Sequence, residues 1–388
     1  MLRRMPELEL AEGVASIDRD EWNALVADDS PFLEWEWLAS LEDAGCVGPR
    51  TGWDARPLVV REGGRLVAAA PLYIKSHSEG EFVFDWGWAD AAENAGISYY
   101  PKMLVGVPFS PVTGRRLLVA KDEDEDAPQW RSLLAQALHS TCQGNDLSGV
   151  HVNFCLEDEV DELESADFML RVGLQYHWLN HDYATFDDYL AHFRSKRRNQ
   201  IKRERRETGR QGVEIRHHVG DDIPDSLFEP MYRFYLATVR GHYWGRQYLN
   251  WELFELLRER WRHRLVFIVA WQGGEPIAGT FNVAKGDTMY GRYWGALTDL
   301  RHLHFNVCYY AAVEHCIDHG LAKFEPGAGG EYKQMRGFDA YPTRSLHYLA
   351  DPRLAGAIKR FLDQERERAE DTIDWYREQS QLKHDRTD

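Results

Sequence analysis

Three stretches of the chain concentrate residue types that can do chemistry. Phe324-Glu-Pro-Gly-Ala-Gly-Gly-Glu-Tyr-Lys333 reads as a strand exit into a glycine-rich loop bearing two carboxylates and a lysine. Gly327, Gly329 and Gly330 permit positive φ and let a ligand approach the backbone closely. Glu325 and Glu331 are candidates to relieve an amine nucleophile of its proton, provided burial raises their pKa. Lys333 is a candidate to hold a carboxylate or phosphate. The second stretch, 194–210, carries nine Lys and Arg against Glu204 and Glu207 on a chain of formal charge −17. Arginine forks grip phosphate at two points, so Arg197, Arg198 and Lys202 are the candidate phosphate ligands. The third is Tyr290-Gly-Arg-Tyr-Trp-Gly-Ala296, where strand alternation sends Arg292 and Trp294 to one face and Tyr293 and Gly295 to the other. With Trp86, Trp88, Tyr99 and Tyr100, these rings are expected to wall a substrate groove. Each stretch also has a plainer reading: a sheet-edge turn with charged tips, a solvated helix, ordinary core packing.

Other combinations carry less. His315 and His319 stand at i, i+4, a spacing that can ligate zinc, but no third ligand follows and the Glu falls outside a His-Glu-x-x-His order. No metal site is expected. Cys308 and Cys316 lie among apolar neighbours and read as buried small hydrophobes. Neither a Gly-x-Ser-x-Gly elbow nor a phosphate-binding Walker loop occurs. The negative field of the whole chain repels phosphate backbones and anionic lipid, which excludes genomic DNA as a general partner and leaves room for a local basic site. Five cysteines, at 46, 142, 155, 308 and 316, are too scattered for a disulfide framework. Without a signal-like apolar core after the first residues, or a long apolar run, the expected compartment is the cytoplasm, with no transmembrane contact.

The elements that must position these residues repeat. Leu58-Val-Val-Arg-Glu-Gly-Gly64 followed by Arg65–Tyr73 matches Phe267-Ile-Val-Ala-Trp-Gln-Gly-Gly274 followed by Glu275–Val283. Both read as strand, Gly-Gly hairpin, strand. A third strand is expected to end in Phe84-Asp-Trp-Gly-Trp-Ala-Asp90 in the first copy and in Arg292–Asp299 in the second. Two helices precede each hairpin, at about 19–27 and 31–44 and at about 225–240 and 248–260. After each sheet block come a helix, about 128–143 and 304–319, and a strand, 149–154 and 321–325. Gly144 and Gly320 stand where a helix C-cap is expected. The fold class is therefore α+β, a tandem repeat with boundaries at 1–178 and 179–350, the second copy carrying the basic helix 194–210. A charged amphipathic C-terminal helix falls within 351–388. The acidic runs Asp122–Asp126 and Glu157–Asp167 read as solvated segments.

This order of pieces resembles a tandem GNAT-type acyltransferase, and specifically the FemAB-like family of predicted N-acyltransferases tied to peptidoglycan biosynthesis. The resemblance spans about 15–350. It rests on Ser30-Pro-Phe-Leu-Glu-Trp-Glu-Trp-Leu38, on Ser195-Lys-Arg-Arg-Asn-Gln-Ile-Lys202, and on Phe324–Gly330 with Lys333 and Gly337-Phe338. It implies two GNAT-like units and transfer of an acyl or aminoacyl group to the amine of an acceptor such as a muropeptide or other peptide. No tightly bound cofactor is implied; aminoacyl-tRNA or acyl-CoA would be the co-substrate, and tRNA a partner. One feature departs from GNAT enzymes. Their pyrophosphate-binding Arg/Gln-x-x-Gly-x-Gly/Ala turn would fall near Asp299-Leu-Arg-His-Leu-His-Phe-Asn306, which has no glycine. A rival reading is a non-catalytic module that recognises a peptide, muropeptide or tRNA; another is an acyl-CoA enzyme acting on a small amine.

Overall fold

The computed structural model describes residues 5–121, 126–241, 245–330, 332–380 and 382. The chain forms two compact units, Met1–Gly173 with Pro342–Glu370, and Leu174–Tyr341 with Asp371–Asp388. The sequence boundary at 178/179 thus falls inside a strand. Residues 342–350, assigned from sequence to the second repeat, belong to the first unit, because the strand that follows the glycine-rich loop runs on out of the second. Residues 122–125 of the acidic run lie outside the described residues.

The first unit contains β1 (Glu7–Leu10), α1 (Arg19–Val26), α2 (Trp35–Asp43), β2 (Trp53–Ala55), β3 (Leu58–Glu62), β4 (Arg65–Ala70), β5 (Leu72–Lys75), α3 (Trp86–Asn94), β6 (Lys102–Val105), β7 (Leu118–Val119), α4 (Ala127–Gly144), β8 (Gly149–Cys155) and α5 (Val160–Glu164). The chain leaves the unit within β9 (Met169–Leu179) and returns within β15 (Asp339–Leu349). One sheet runs β1-β3-β4-β7, and another places β2, β5, β6, β8 and β15 side by side, with β6 parallel to β8. Local chemistry fixes the helix starts: the Asp18 carboxylate accepts from the backbone amides of Asp20 and Glu21 to begin α1. In α4, Leu134, Leu138 and Cys142 recur every four residues and are fully buried against Val67, Ala68 and Val150.

The second unit contains α6 (Phe186–Ala191), α7 (Ser195–Arg210), β10 (Val213–Val219), α8 (Phe228–Gly241), α9 (Trp251–Arg260), β11 (Leu265–Gln272), β12 (Glu275–Lys285), β13 (Thr288–Ala296), α10 (Leu303–Phe305), α11 (Ala311–Asp318) and β14 (Lys323–Glu325). Its strands run β10-β11-β12-β13-β14-β9; the first three contacts are antiparallel, while β14 lies parallel to β13. The long C-terminal helix α12 spans Pro352–Glu378. Six consecutive residues of β11, Leu265–Ala270, are buried, as a central strand of β-branched and apolar residues requires.

The two hairpins correspond closely. Gly63 and Gly64 have φ of 60 and 88, Gly273 and Gly274 of 60 and 87, the two consecutive positive values of a turn that only glycine enters without strain. The β3–β4 register slips between Val60 and Arg61, leaving Val67 of β4 as the extra residue, and the β11–β12 register slips between Ala270 and Trp271, leaving Ile277 of β12, the same position relative to each turn. The third-strand expectation fails in the first copy. Trp86-Gly-Trp88 opens helix α3, whereas Trp294-Gly295 lies on β13, so the two Trp-Gly pairs are not equivalent. Ala89, Ala91 and Ala92 supply helix propensity just after Trp88, and the buried Asp85 side chain anchors the helix start to Lys102.

Candidate active site

The second unit holds a cavity of about 270 Å³ where two parallel strands part. β13 and β14 pair only from Thr288–Lys323 to Tyr290–Glu325. Beyond that point β13 continues while β14 turns into the glycine-rich loop, and the cavity opens between them. Gly291–Trp294 line one side and Phe324, Pro326, Ala328–Gly330, Tyr332 and Lys333 the other. The β12–β13 register slips between Phe281 and Asn282, leaving Arg292 as the extra residue of a bulge. Bulges re-aim side chains, and this one puts Arg292 on the cavity wall. Tyr293 stands against Tyr235 of α8, and Gly295 meets the same helix so closely that a Cβ there would overlap the Phe234 carbonyl. Trp294 faces the other way, 5.2 Å from His304. The helix behind the cavity makes a π turn over Asn306–Tyr310, and this turn presents Cys308 and Tyr309 to the lining.

Lys333 is held in place by two hydrogen bonds to the glycine-rich loop. Its ammonium donates to the carbonyls of Gly327 at 2.5 Å and Ala328 at 3.3 Å, so it ties the glycine loop together from inside. Gly327, Gly329 and Gly330 all take positive φ, as the loop was expected to require. Lys333 is 3% exposed. Burial pulls its pKa down to about 8, with Cys308 opposing and Arg292 adding to the fall. Burial likewise lowers His304 to about 4, aided by the charges of Arg336 and Lys333, so that imidazole is neutral at physiological pH. It also lowers the Arg292 guanidinium, which Tyr293 and Glu325 act to restore. The Cys308 thiol is pushed far up by burial and cannot serve as a thiolate nucleophile.

Glu325 is buried, but it is not among the side chains lining the cavity; its β14 neighbours Phe324 and Pro326 are. Its carboxylate pairs with Lys323 at 2.5 Å and lies 3.9 Å from His177. The other carboxylate candidate, Glu331, lies outside the described residues. The structure therefore brings Lys333 and Gly329 of the loop together with Arg292 of β13, and leaves Glu325 outside the lining but near enough to act on Arg292.

The basic stretch forms α7, with Ile201, Glu204 and Thr208 as its buried face. Glu204 accepts hydrogen bonds from Tyr310 at 2.5 Å and Gln200 at 2.8 Å, and Arg336 reaches it at 3.4 Å. An open pocket of about 780 Å³ flanks the helix, lined by Lys202, Arg205 and Arg206 but also by Asp187, Glu314 and Asp318. Lys202 pairs with Asp187 at 3.0 Å and Arg205 with Glu314 at 2.7 Å. Arg197 donates to Gln200 at 2.9 Å, and Arg198 is half-buried on the first turn. Much of the positive charge read from sequence is thus balanced locally.

In the first unit, Trp86, Tyr99 and Tyr100 line an open pocket of about 650 Å³ with Asp90 and Glu93, while Trp88 is buried, 4.8 Å from His347. The aromatic residues of the two units thus line separate pockets, each within its own unit. Sequence reasoning passed over what lies beside the first. Lys75, Glu81, Asp85 and Lys102 are all buried, with Lys102 donating to Glu81 at 2.9 Å and to Asp85, and Tyr99 donating to Asp85 at 2.7 Å. Lys75 sits 3.6 Å over the Trp53 ring and 3.8 Å from Glu81. Burial lowers Lys75 to about 7 and raises Glu81 to about 7. The signal was legible: both lysines terminate apolar strands, Leu-Tyr-Ile-Lys75 and Lys102-Met-Leu-Val. His315 is buried, lowered to about 3 mainly by desolvation, and stacks near His319. Among the described residues no three His, Cys, Asp or Glu side chains converge to hold a metal, and no helix is long and apolar enough to cross a membrane.

The fold of this chain is shared with solved proteins. FemX matches with a TM-score of 0.55 at 12% identity, over 88% of this chain and 98% of that one. A conserved protein of unknown function from Bacteroides thetaiotaomicron matches with 0.53 at 12% identity, over 88% and 100%. A tandem GNAT protein from the clavulanic acid biosynthesis pathway matches with 0.45 at 15% identity, over 89% and 98%. Among curated proteins none matches in sequence. Residues 13–384 match the model of the FemAB-like family, described as peptidoglycan biosynthesis/recognition, and the chain belongs to that family.

Proposed function

We propose that the protein is an N-acyltransferase, moving an acyl or aminoacyl group from an activated donor, aminoacyl-tRNA or acyl-CoA, to the amine of a muropeptide or other peptide acceptor. Family membership and the likeness to FemX support the class of reaction and the cell-wall setting. The observation that carries the reading is the cavity between β13 and the glycine loop, with a buried lysine of pKa about 8 inside it. In the reaction the amine nitrogen attacks the acyl carbon, a C–N bond forms, and the bond to the donor's oxygen or sulfur breaks. The fraction of Lys333 that is neutral takes the proton released by the nitrogen and returns it to the leaving group, so nothing beyond donor and acceptor is consumed. Arg292 and the protonated fraction of Lys333 favour negative charge developing on the acyl oxygen. A covalent enzyme intermediate is unnecessary, since fixing two substrates in place lowers a barrier by roughly 7–11 kcal/mol. Lys333, in place of Glu325, is thus our candidate base.

The test is to incubate the purified protein with aminoacyl-tRNA or a panel of acyl-CoA donors, with and without amine acceptors, and to follow donor loss and product mass. Acceptor-dependent transfer that falls by about 100- to 10,000-fold in Lys333→Gln, the usual contribution of a positioned base, is expected. Binding of donor or acceptor without any transfer would favour a non-catalytic recognition module.

A further inference from the structure

The described lining of the β13–loop cavity has two cationic side chains, Arg292 and Lys333, and no carboxylate. The other charged groups near it do not change that sign. Glu325, outside the lining, pairs with Lys323 and also acts on the Arg292 guanidinium, so these three groups together remain net positive, and Arg336, behind the cavity, reaches Glu204. Neutral residues complete the wall, among them Thr280, Asn282, Tyr293, Trp294 and Tyr309. Two like charges brought together in a low-dielectric space disfavour one another, and an anion placed between them relieves that cost. The space is small, below the roughly 300–1,000 Å³ of pockets that take a drug-sized ligand, so it accommodates a group of a few heavy atoms.

We infer that this cavity binds a negatively charged substrate group, a carboxylate or a phosphate, through Arg292 with Lys333, and discriminates against groups carrying an ammonium. As to catalysis this rests on the acyl-transfer reading and narrows it: the acyl or acceptor moiety that enters the cavity is anionic. Burial lowers the pKa values of Lys333 and His304, and the charge of Arg292 on the first and of Arg336 and Lys333 on the second adds to the fall, in keeping with an electropositive space.

Calorimetric titration of the full chain with succinate, inorganic phosphate, succinamide and 1,4-diaminobutane tests it. Succinate or phosphate should bind at least tenfold more tightly than succinamide and the diamine. Whichever anion is preferred identifies carboxylate or phosphate as the source. Arg292→Gln should weaken that binding at least tenfold, and Arg292→Lys should recover part of it. Saturating anion should also raise the Lys333 pKa, read from the NMR signal of its ¹³C-methylated amine. Equal affinity for succinate and succinamide in the wild-type protein overturns the inference, and that comparison needs no variant to fold. Anion binding that is indifferent to Arg292→Gln and to Arg292→Lys overturns the site. The two readings fail separately. Arg292-dependent anion binding without transfer would remove the acyltransferase reading and leave the site, whereas transfer of neutral acyl groups without anion binding would do the reverse.

Discussion

Lys333 offers the sharpest test of the proposed chemistry. The residue is 3% exposed and its ammonium donates to two loop carbonyls, yet burial still lowers its pKa from 10.5 to about 8. At about 1.36 kcal/mol per pH unit, that fall disfavours the charged form in the folded protein by on the order of 3 kcal/mol. Because the folded pKa lies below the unfolded one, the cost is fully present below pH 8. It disappears as pH rises from about 8 through 10.5, so this residue makes the protein more stable with rising pH across that window. Near pH 7 roughly one lysine in ten is neutral, so kcat/KM should climb about tenfold per pH unit and level off above pH 8. Methylating the lysines with ¹³C and following Lys333, assigned by its absence in Lys333→Arg, gives the pKa directly. Lys333→Arg should lose the rising limb along with activity, because guanidinium does not deprotonate in this range. A Lys333 pKa above 10, or a rate profile still climbing through pH 10, would refute the reasoning.

Other outcomes are expected from separate parts of the structure. Glu325→Gln, whose carboxylate meets Lys323 instead of the cavity, should keep single-turnover rates within about tenfold of wild type, far short of the loss a missing base causes. The buried Lys75–Glu81 pair should produce a trough in stability near pH 7. Lysine lowered to about 7 gains stability as pH rises from there to 10.5, and glutamate raised to about 7 loses it as pH rises from 4.5. Urea midpoints of the Lys75→Met, Glu81→Gln double variant should vary less with pH between 5 and 10. Gly295→Ala should cost about 1–3 kcal/mol by forcing β13 away from the Phe234 carbonyl, read as a lowered melting temperature with the far-ultraviolet spectrum retained. Replacing Arg197, Arg198 and Lys202 together by Ala should weaken tRNA binding and flatten its salt dependence; an unchanged salt slope would make α7 a structural helix.

The amino-acid sequence by itself determined the local elements. Apolar runs ended by Gly63-Gly64 and Gly273-Gly274 specify hairpins because only glycine enters two successive left-handed positions freely, and both turns form, each with a bulge at the matching place. Helix periodicity likewise located α1, α2, α4, α8, α9 and α12 to within a few residues. The glycine-rich loop and Lys333 were visible as a motif, since loop backbone and charged side chains stand out against an apolar strand. Tertiary structure decided the rest, because burial and partners are properties of residues far apart in the chain. Whether Glu325 faces a cavity or Lys323 depends on where β14 parts from β13. The orientation of Arg292 depends on a register slip that alternation does not foresee. Trp86-Gly-Trp88 mimics Trp294-Gly295 in letters, but Asp85 and the alanines that follow make it a helix. Lys75 and Lys102 look like surface residues until two strands and a loop bring Glu81 and Asp85 around them; only then does desolvation lower the Lys75 pKa, while at Lys102 the two carboxylates outweigh desolvation and raise it.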